Sequence, residues 1–187
     1  MANASLRVAI AGLGPIGKKV AEALDQGIEG LSLTAVSAQN PEKHHNWLGT
    51  LKTPPTMLPI EQLSDVADIA IECAPAKLLR SIVAPFVEKG KTAIVLSAGA
   101  LLDNEDLIEV ARQNGGQIVV PTGALIGLDA VTAAAVGEIH SVRMVTRKPV
   151  QGLAGAPFLV ENNFAYDKTQ DALSISRRGG GGLPNPR

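Results

Sequence analysis

The chain has 187 residues, 45% hydrophobic and 19% charged, and its 17 Lys and Arg against 18 Asp and Glu leave a formal charge of -1. That balance belongs to a folded globular protein: it excludes disorder and offers no basic surplus for nucleic acid, and aromatics at 3% give few stacking platforms for bases. A single cysteine, Cys73, forms no internal disulfide; the opening MANASLRVAIAGLG lacks the parts of a secretory signal; and no apolar run reaches the ~20 residues a membrane span needs, so a cytoplasmic protein without membrane partners is expected.

Leu6 to Ala11 (LRVAIA) is a short aliphatic run closed by glycines and reads as a buried parallel strand. From Pro15, the residues Ile16, Val20, Ala23 and Leu24 follow helical spacing, with Pro15 tolerated in the first turn and Gly27 placed to end the helix. Leu31 to Ser37 is a second strand, and the polar, proline-bearing stretch after it reads as loop with a short helix. DIAIECAP is a third strand ending at Cys73, with a helix from about Ala76 behind Pro75. TAIVLSAGA is a further aliphatic strand ending in small residues. Asp103 is expected to cap the next helix, with Asp106 three residues on and Gly115 and Gly116 as its stop. QIVVPTGAL is the next strand, a helix follows around Leu128 to Val136, and EIHSVRMVTRKP reads as a last strand closing the sheet edge. Strands alternating with helices imply βαβ units, hence an α/β fold with a doubly wound, mostly parallel sheet.

Gly12-Leu13-Gly14-Pro15-Ile16-Gly17 matches G-x-G-x-x-G, directly after a predicted strand and opening a helix. In that setting Gly12 makes the tight turn, Gly14 lets main chain approach a diphosphate, and Gly17 packs helix against strand. The helix end offers free N–H groups and a positive dipole. The alternative is a ligand-free glycine turn; the alternation of the whole chain favours a dinucleotide site.

An NAD site ordinarily carries an acid ~20 residues on, at the end of the second strand, to hold the ribose 2′-hydroxyl. Here the place holds Ser37-Ala38-Gln39-Asn40, with no acid to repel a 2′-phosphate and Lys43 nearby. Ser37, Gln39 and Asn40 are therefore expected to donate hydrogen bonds, and either NAD or NADP is the expected cofactor. Ligands of open α/β sheets lie at the carboxyl ends of the strands. Three such ends are small or proline-marked, Cys73-Ala74-Pro75, Ser97-Ala98-Gly99 and Pro121-Thr122-Gly123-Ala124, and together they suggest one continuous groove.

His44 and His45 are adjacent, so they point to different sides and make a poor metal pair; no metal site is expected. Cys73 is read as a small buried hydrophobe in preference to a nucleophile, because no basic partner accompanies it. His140 fits either a general acid or a structural histidine, and Arg143, Arg147 and Lys148 fit either a carboxylate substrate or a solvated edge.

The stretches RVAIAGLGPIGKKVAEALD, IECAPAKLLR, IVLSAGALLDNEDL and, most specifically, IVVPTGALIGLDAVTAA with SVRMVTRKP resemble the bacterial and archaeal L-aspartate dehydrogenases from about Leu6 to about Asn163. The resemblance implies NAD(P)-dependent oxidative deamination of L-aspartate to iminoaspartate, linked to pyridine-nucleotide synthesis, and makes Ala124 a cofactor contact. It implies an NAD(P)-binding Rossmann domain over residues 1–147 and the start of a truncated catalytic domain over 148–163. Residues 164–187, ending RRGGGGLPNPR, are expected to be a flexible or non-family tail, the product of a shifted frame or broken gene. The family's carboxyl-terminal Asn and catalytic His have no counterpart in this chain, so no catalytic residue carries over. Little or no turnover is expected, with aggregation or homodimerisation through uncovered apolar surface. The competing readings are a non-catalytic dinucleotide-binding domain and a homoserine dehydrogenase or dihydrodipicolinate reductase type of enzyme.

Overall fold

The computed structural model describes residues 5–123 and 127–143. The chain divides into two compact units, Met1–Ile126 and Gly127–Arg187. In the first unit, β1 (Leu6–Ala11) leads into α1 (Pro15–Gln26) and β2 (Leu31–Ser37). A 3-10 turn (Pro41–His44) then runs into α2 (His45–Leu48), followed by β3 (Thr56–Met57), α3 (Ile60–Val66) and β4 (Ile69–Glu72). A second 3-10 turn (Ala76–Leu78) opens α4 (Leu79–Val87), and β5 (Thr92–Val95), α5 (Ala98–Leu101), α6 (Asp106–Asn114) and β6 (Gln117–Val119) complete the unit.

All six strands run parallel in the order β3-β2-β1-β4-β5-β6. The direction of winding reverses between β1 and β4, the switch point where ligands of such sheets collect. Alternation along β1 explains why both faces are covered. Val8 and Ile10 enter a cluster with Leu13, Ala21, Leu24 and Val36 beneath α1. Ala9 and Ala11 turn to the opposite cluster with Leu63, Leu79, Ile82 and Phe86. On that second face the sheet contributes alanines (Ala35, Ala70, Ala93) and the helices contribute the bulk, so α3 and α4 sit close over the strands.

The amino end of the sheet is tied by charge. Asp68 Oδ2 accepts from the Arg7 main-chain N and Nε, both at 3.0 Å, and Oδ1 accepts from Nη2 at 2.7 Å. The Arg7 side chain and amide hold the Asp68 carboxyl down at about 2. Its folded value lies below the ordinary unfolded value of about 3.9, so the stability it contributes is present above that pH and is lost as pH falls through about 2. Asp68→Asn is therefore expected to lower the urea midpoint at pH 7, and the gap from the parent protein should close as the pH is taken toward 2. A constant gap across that range would show the ion pair contributes nothing.

The doubly wound α/β reading holds, and several local expectations change. The third expected strand ends at Glu72, one residue short of Cys73. TAIV stops at Val95, and Ala98 and Gly99 lie in the helical turn of α5 instead of a strand end. Asp103 is not a cap: it sits inside a 3-10 turn (Leu102–Asn104) continuous with α5, so its backbone is already helical. The helix α6 starts at Asp106 without any side-chain cap, and Asp106 instead takes a two-pronged ion pair from Arg80 at 2.7 and 2.9 Å. β3 and α3 were not anticipated.

In the second unit, α7 (Leu128–Ala134) matches the expected helix, whereas Glu138–Arg143 carries no strand. The rest of that expected strand, with Arg147 and Lys148, lies outside the described residues. There, His140 Nδ1 stands 3.7 Å from Glu138 Oε1 in an exposed pair, a solvated setting rather than an enclosed acid site. Among the described residues no helix is long and apolar enough to cross a membrane.

Candidate functional site

The three glycines of the first turn do different work. Gly12 has φ +102, a conformation that side chains rarely adopt, and a Cβ there would collide with the Cys73 carbonyl. A Cβ at Gly17 would run into the Gly12 carbonyl, so Gly17 is what lets α1 approach the end of β1. Gly14 has neither constraint. Its φ of −71 is ordinary, and a Cβ there would meet nothing within 4 Å. The first two glycines answer to the protein's own packing, and the third faces open space.

That space lies at the start of α1, where Pro15 occupies the first turn, no side chain caps the helix and no acid stands in the first turn. The main-chain amides of Ile16 and Gly17 therefore meet the positive end of a 12-residue helix without an internal partner. The Ile16 side chain is exposed, and Leu13 is buried in the core beneath α1, which leaves only its main chain for the turn.

Beside the turn is a cavity of about 390 Å³. Gly12, Ser37, Ala38, Gln39, Ala74 and Pro75 line it, drawn from the carboxyl ends of β1, β2 and β4. Their ends are laced by main-chain bonds of 2.8 Å from Gly12 N to the Ser37 carbonyl and from Cys73 N to the Ala11 carbonyl. The opposite wall comes from Pro59, Ile60 and Glu61 at the start of α3 and from Lys77 and Leu78 in the turn before α4. None of those five was singled out from sequence. The repeat Ile60, Leu63, Val66 behind Pro59 was the available signal for α3.

Ser97, Ala98 and Gly99 stand at the neighbouring β5 end and do not line this cavity, nor do Pro121, Thr122 and Gly123. Among the described residues this cavity is formed at the first of the three expected strand ends. Ala124 lies outside the described residues.

Among the described residues the sequence reading also missed Glu72, the last residue of β4. It is wholly buried, yet every polar atom of its carboxylate is engaged. Oε2 accepts from Leu96 N at 3.1 Å and Ser97 N at 2.8 Å, and Oε1 from Ala74 N at 3.2 Å and the Ser97 hydroxyl at 3.1 Å. Next to it, Cys73 is half-buried, and burial together with the Glu72 charge pushes its thiol up to about 11. That agrees with the packing role expected of it.

Positive charge gathers past the end of β2. Lys18 stands 4.9 Å from the centre of the Trp47 ring, whose indole N–H donates to Glu22 at 3.3 Å. The His44 Nδ1 is buried without a hydrogen-bond partner. Burial, then Lys18 and Lys43, hold the His44 imidazole below its ordinary value. No carboxylate of the Ser37-Ala38-Gln39-Asn40 stretch offsets this charge.

Residues 12–121 match the family model described as the NAD-binding domain of homoserine dehydrogenase. The chain is 60% identical over 174 residues to an L-aspartate dehydrogenase of Bradyrhizobium diazoefficiens, covering 93% of this chain and 62% of that one. It is 48% identical to L-aspartate dehydrogenase 3 of Bordetella bronchiseptica, covering 91% of this chain and 63% of that one. The chain thus spans about three fifths of the length of these curated relatives. Among solved structures, the fold is shared with biliverdin reductase from Synechocystis, whose structure was determined with biliverdin and NADP+. The TM-score is 0.57 at 18% identity, covering 77% of this chain and 46% of that one.

Proposed function

The chain belongs to the family of NAD-binding domains described for homoserine dehydrogenase and is a relative of the L-aspartate dehydrogenases, and from that premise we propose that it is the nicotinamide-dinucleotide-binding part of an L-aspartate dehydrogenase. The observation that carries this reading is Gly14: an uncapped helix end with open space in front of it, joined through Gly12 to a cavity of about 390 Å³. A diphosphate fits there because main-chain amides and the helix dipole favour an anion and no side chain intervenes. The cavity of Ser37, Ala38, Gln39 and Pro75 on one wall and Ile60 and Leu78 on the other takes the adenosine half, polar where a ribose would sit and apolar where a base would.

When bound, the nicotinamide supplies the hydride-accepting centre that oxidation of an amino acid to its imine requires. This chain's part is to hold the diphosphate through the Ile16 and Gly17 amides, fix the ribose through Ser37 and Gln39, and turn the other half toward the ends of β4 and β5. L-Aspartate is the substrate proposed for the whole protein, with iminoaspartate, a precursor suited to pyridine-nucleotide synthesis, as product. Hydride transfer between the substrate Cα and the nicotinamide needs a second wall to orient the amino acid and exclude water.

Both dinucleotides are accepted in this reading, because the end of β2 bears no acid and Lys18 and Lys43 surround His44. Titration of NADH and NADPH, followed through quenching of the Trp47 fluorescence, is expected to give dissociation constants within about 100-fold of each other, or about 2.7 kcal/mol. A larger preference for NADH would remove Ser37 and Gln39 as neutral hosts of a 2′-phosphate. Absence of binding to either would overturn the proposal.

A further inference from the structure

A carboxylate taken wholly out of water is expensive unless donors surround it, and an apolar side chain of similar volume fills a core position at lower cost. Glu72 stands where β4 and β5 part: the paired register ends at Glu72 and Val95, and beyond it each strand turns away into its own loop. The carboxylate bridges that gap. One oxygen takes the amides of Leu96 and Ser97, and the other takes the Ala74 amide and the Ser97 hydroxyl, so both turns hang on one side chain. Ala74 is a wall of the cavity, and Ser97 heads the next strand end along the sheet.

We propose that Glu72 is a positioning residue of the dinucleotide site, whose carboxylate clamps the Ala74 turn to the Ser97 turn and so fixes the floor on which the nicotinamide half of the cofactor rests. The inference rests on the dinucleotide reading above and deepens it. With the diphosphate at the Gly12–Gly17 turn and adenosine against the ends of β2 and β4, the remaining half of the cofactor extends toward the end of β5, where Ser97 is. Main chain that carries a ligand must hold its place to a fraction of an ångström, and a buried anion with four donors does that better than apolar packing. The glutamine amide has a single acceptor oxygen and turns donors toward donors, so Glu72→Gln keeps the shape and frees one of the two turns. Ser97→Ala removes one bond and nothing from the core.

The test uses the whole chain with NADH and ADP-ribose as probes, at a temperature where circular dichroism shows every variant folded. Glu72→Gln is expected to weaken NADH at least tenfold. Ser97→Ala is expected to weaken NADH three- to fivefold while ADP-ribose, which lacks the nicotinamide, stays within twofold. The double variant should bind NADH no worse than Glu72→Gln alone, because the hydroxyl acts through the carboxylate. Should Glu72→Gln melt earlier yet bind NADH within twofold of the parent, Glu72 is structural only and the proposal falls. If Glu72→Gln does not fold, Ser97→Ala decides by itself: equal losses for both probes, or none, would overturn the clamp. A parent chain that binds neither probe would instead overturn the dinucleotide reading.

Discussion

Gly14→Asp is expected to raise the stability of this protein while abolishing its dinucleotide binding. Gly14 occupies the N-cap of α1 with φ −71 and ψ −172, a conformation an aspartate adopts freely. Its Cβ would meet nothing within 4 Å. Aspartate is among the preferred N-cap residues, and its charge complements the helix dipole, so a gain of up to about 1 kcal/mol is expected. The same carboxylate would stand where the diphosphate needs bare amides. Charge repulsion and lost hydrogen bonds together should reduce NADH affinity at least 100-fold, about 2.7 kcal/mol. Thermal melting and an NADH titration on one sample suffice. Retained binding in a folded Gly14→Asp protein would end the assignment of this turn to a diphosphate.

Gly17→Ala should instead lower stability, by about 3 kcal/mol, the upper part of the range for overpacking. The added methyl collides with the Gly12 carbonyl and approaches the Cys73 Cβ at 3.4 Å, and neither neighbour is the free end of a flexible side chain. Relief requires α1 to lift from the end of β1, which uncovers Ala21 and Leu24 on its buried face. Any fraction that stays folded should bind NADH poorly, because the lifted helix carries its amides out of place. A melting temperature unchanged from the parent would mean that α1 sits farther from β1 than the close approach described above.

The contrast shows what was readable. β1, the glycine turn and α1 follow from local patterns: an aliphatic run, three glycines at fixed spacing, and a helical period behind Pro15. β3 has two residues inside the proline-bearing polar stretch, too few for alternation to stand out, and α3, seven residues just after it, carries only the single Ile60, Leu63, Val66 repeat. Asp103 had the look of a cap because Asp106, Leu107 and Ala111 follow it. The preceding turn of α5 runs straight through it, and that continuation depends on how Ala98–Leu101 packs rather than on the residues around Asp103.

Glu72 was missed for a deeper reason. A glutamate after three apolar residues carries no mark of burial, and the donors that permit it belong largely to residues 24 and 25 positions later in the chain. Lys77 and Glu61 reach the cavity in the same way, through the turn before α4 and the start of α3. A cavity assembled from four separate segments leaves no continuous signature, whereas the glycine turn is contained in six consecutive residues.

The lone cysteine has a practical consequence. With its thiol pushed up to about 11, Cys73 holds little thiolate at neutral pH, and the thiolate is the species that maleimides and iodoacetamide attack. The native thiol is therefore slow toward such reagents, and a cysteine introduced on the surface would be the one that takes a fluorophore or spin label. Labelling of the unsubstituted chain should then speed up when the β1–β4 end of the sheet opens and the Cys73 thiol loses its burial.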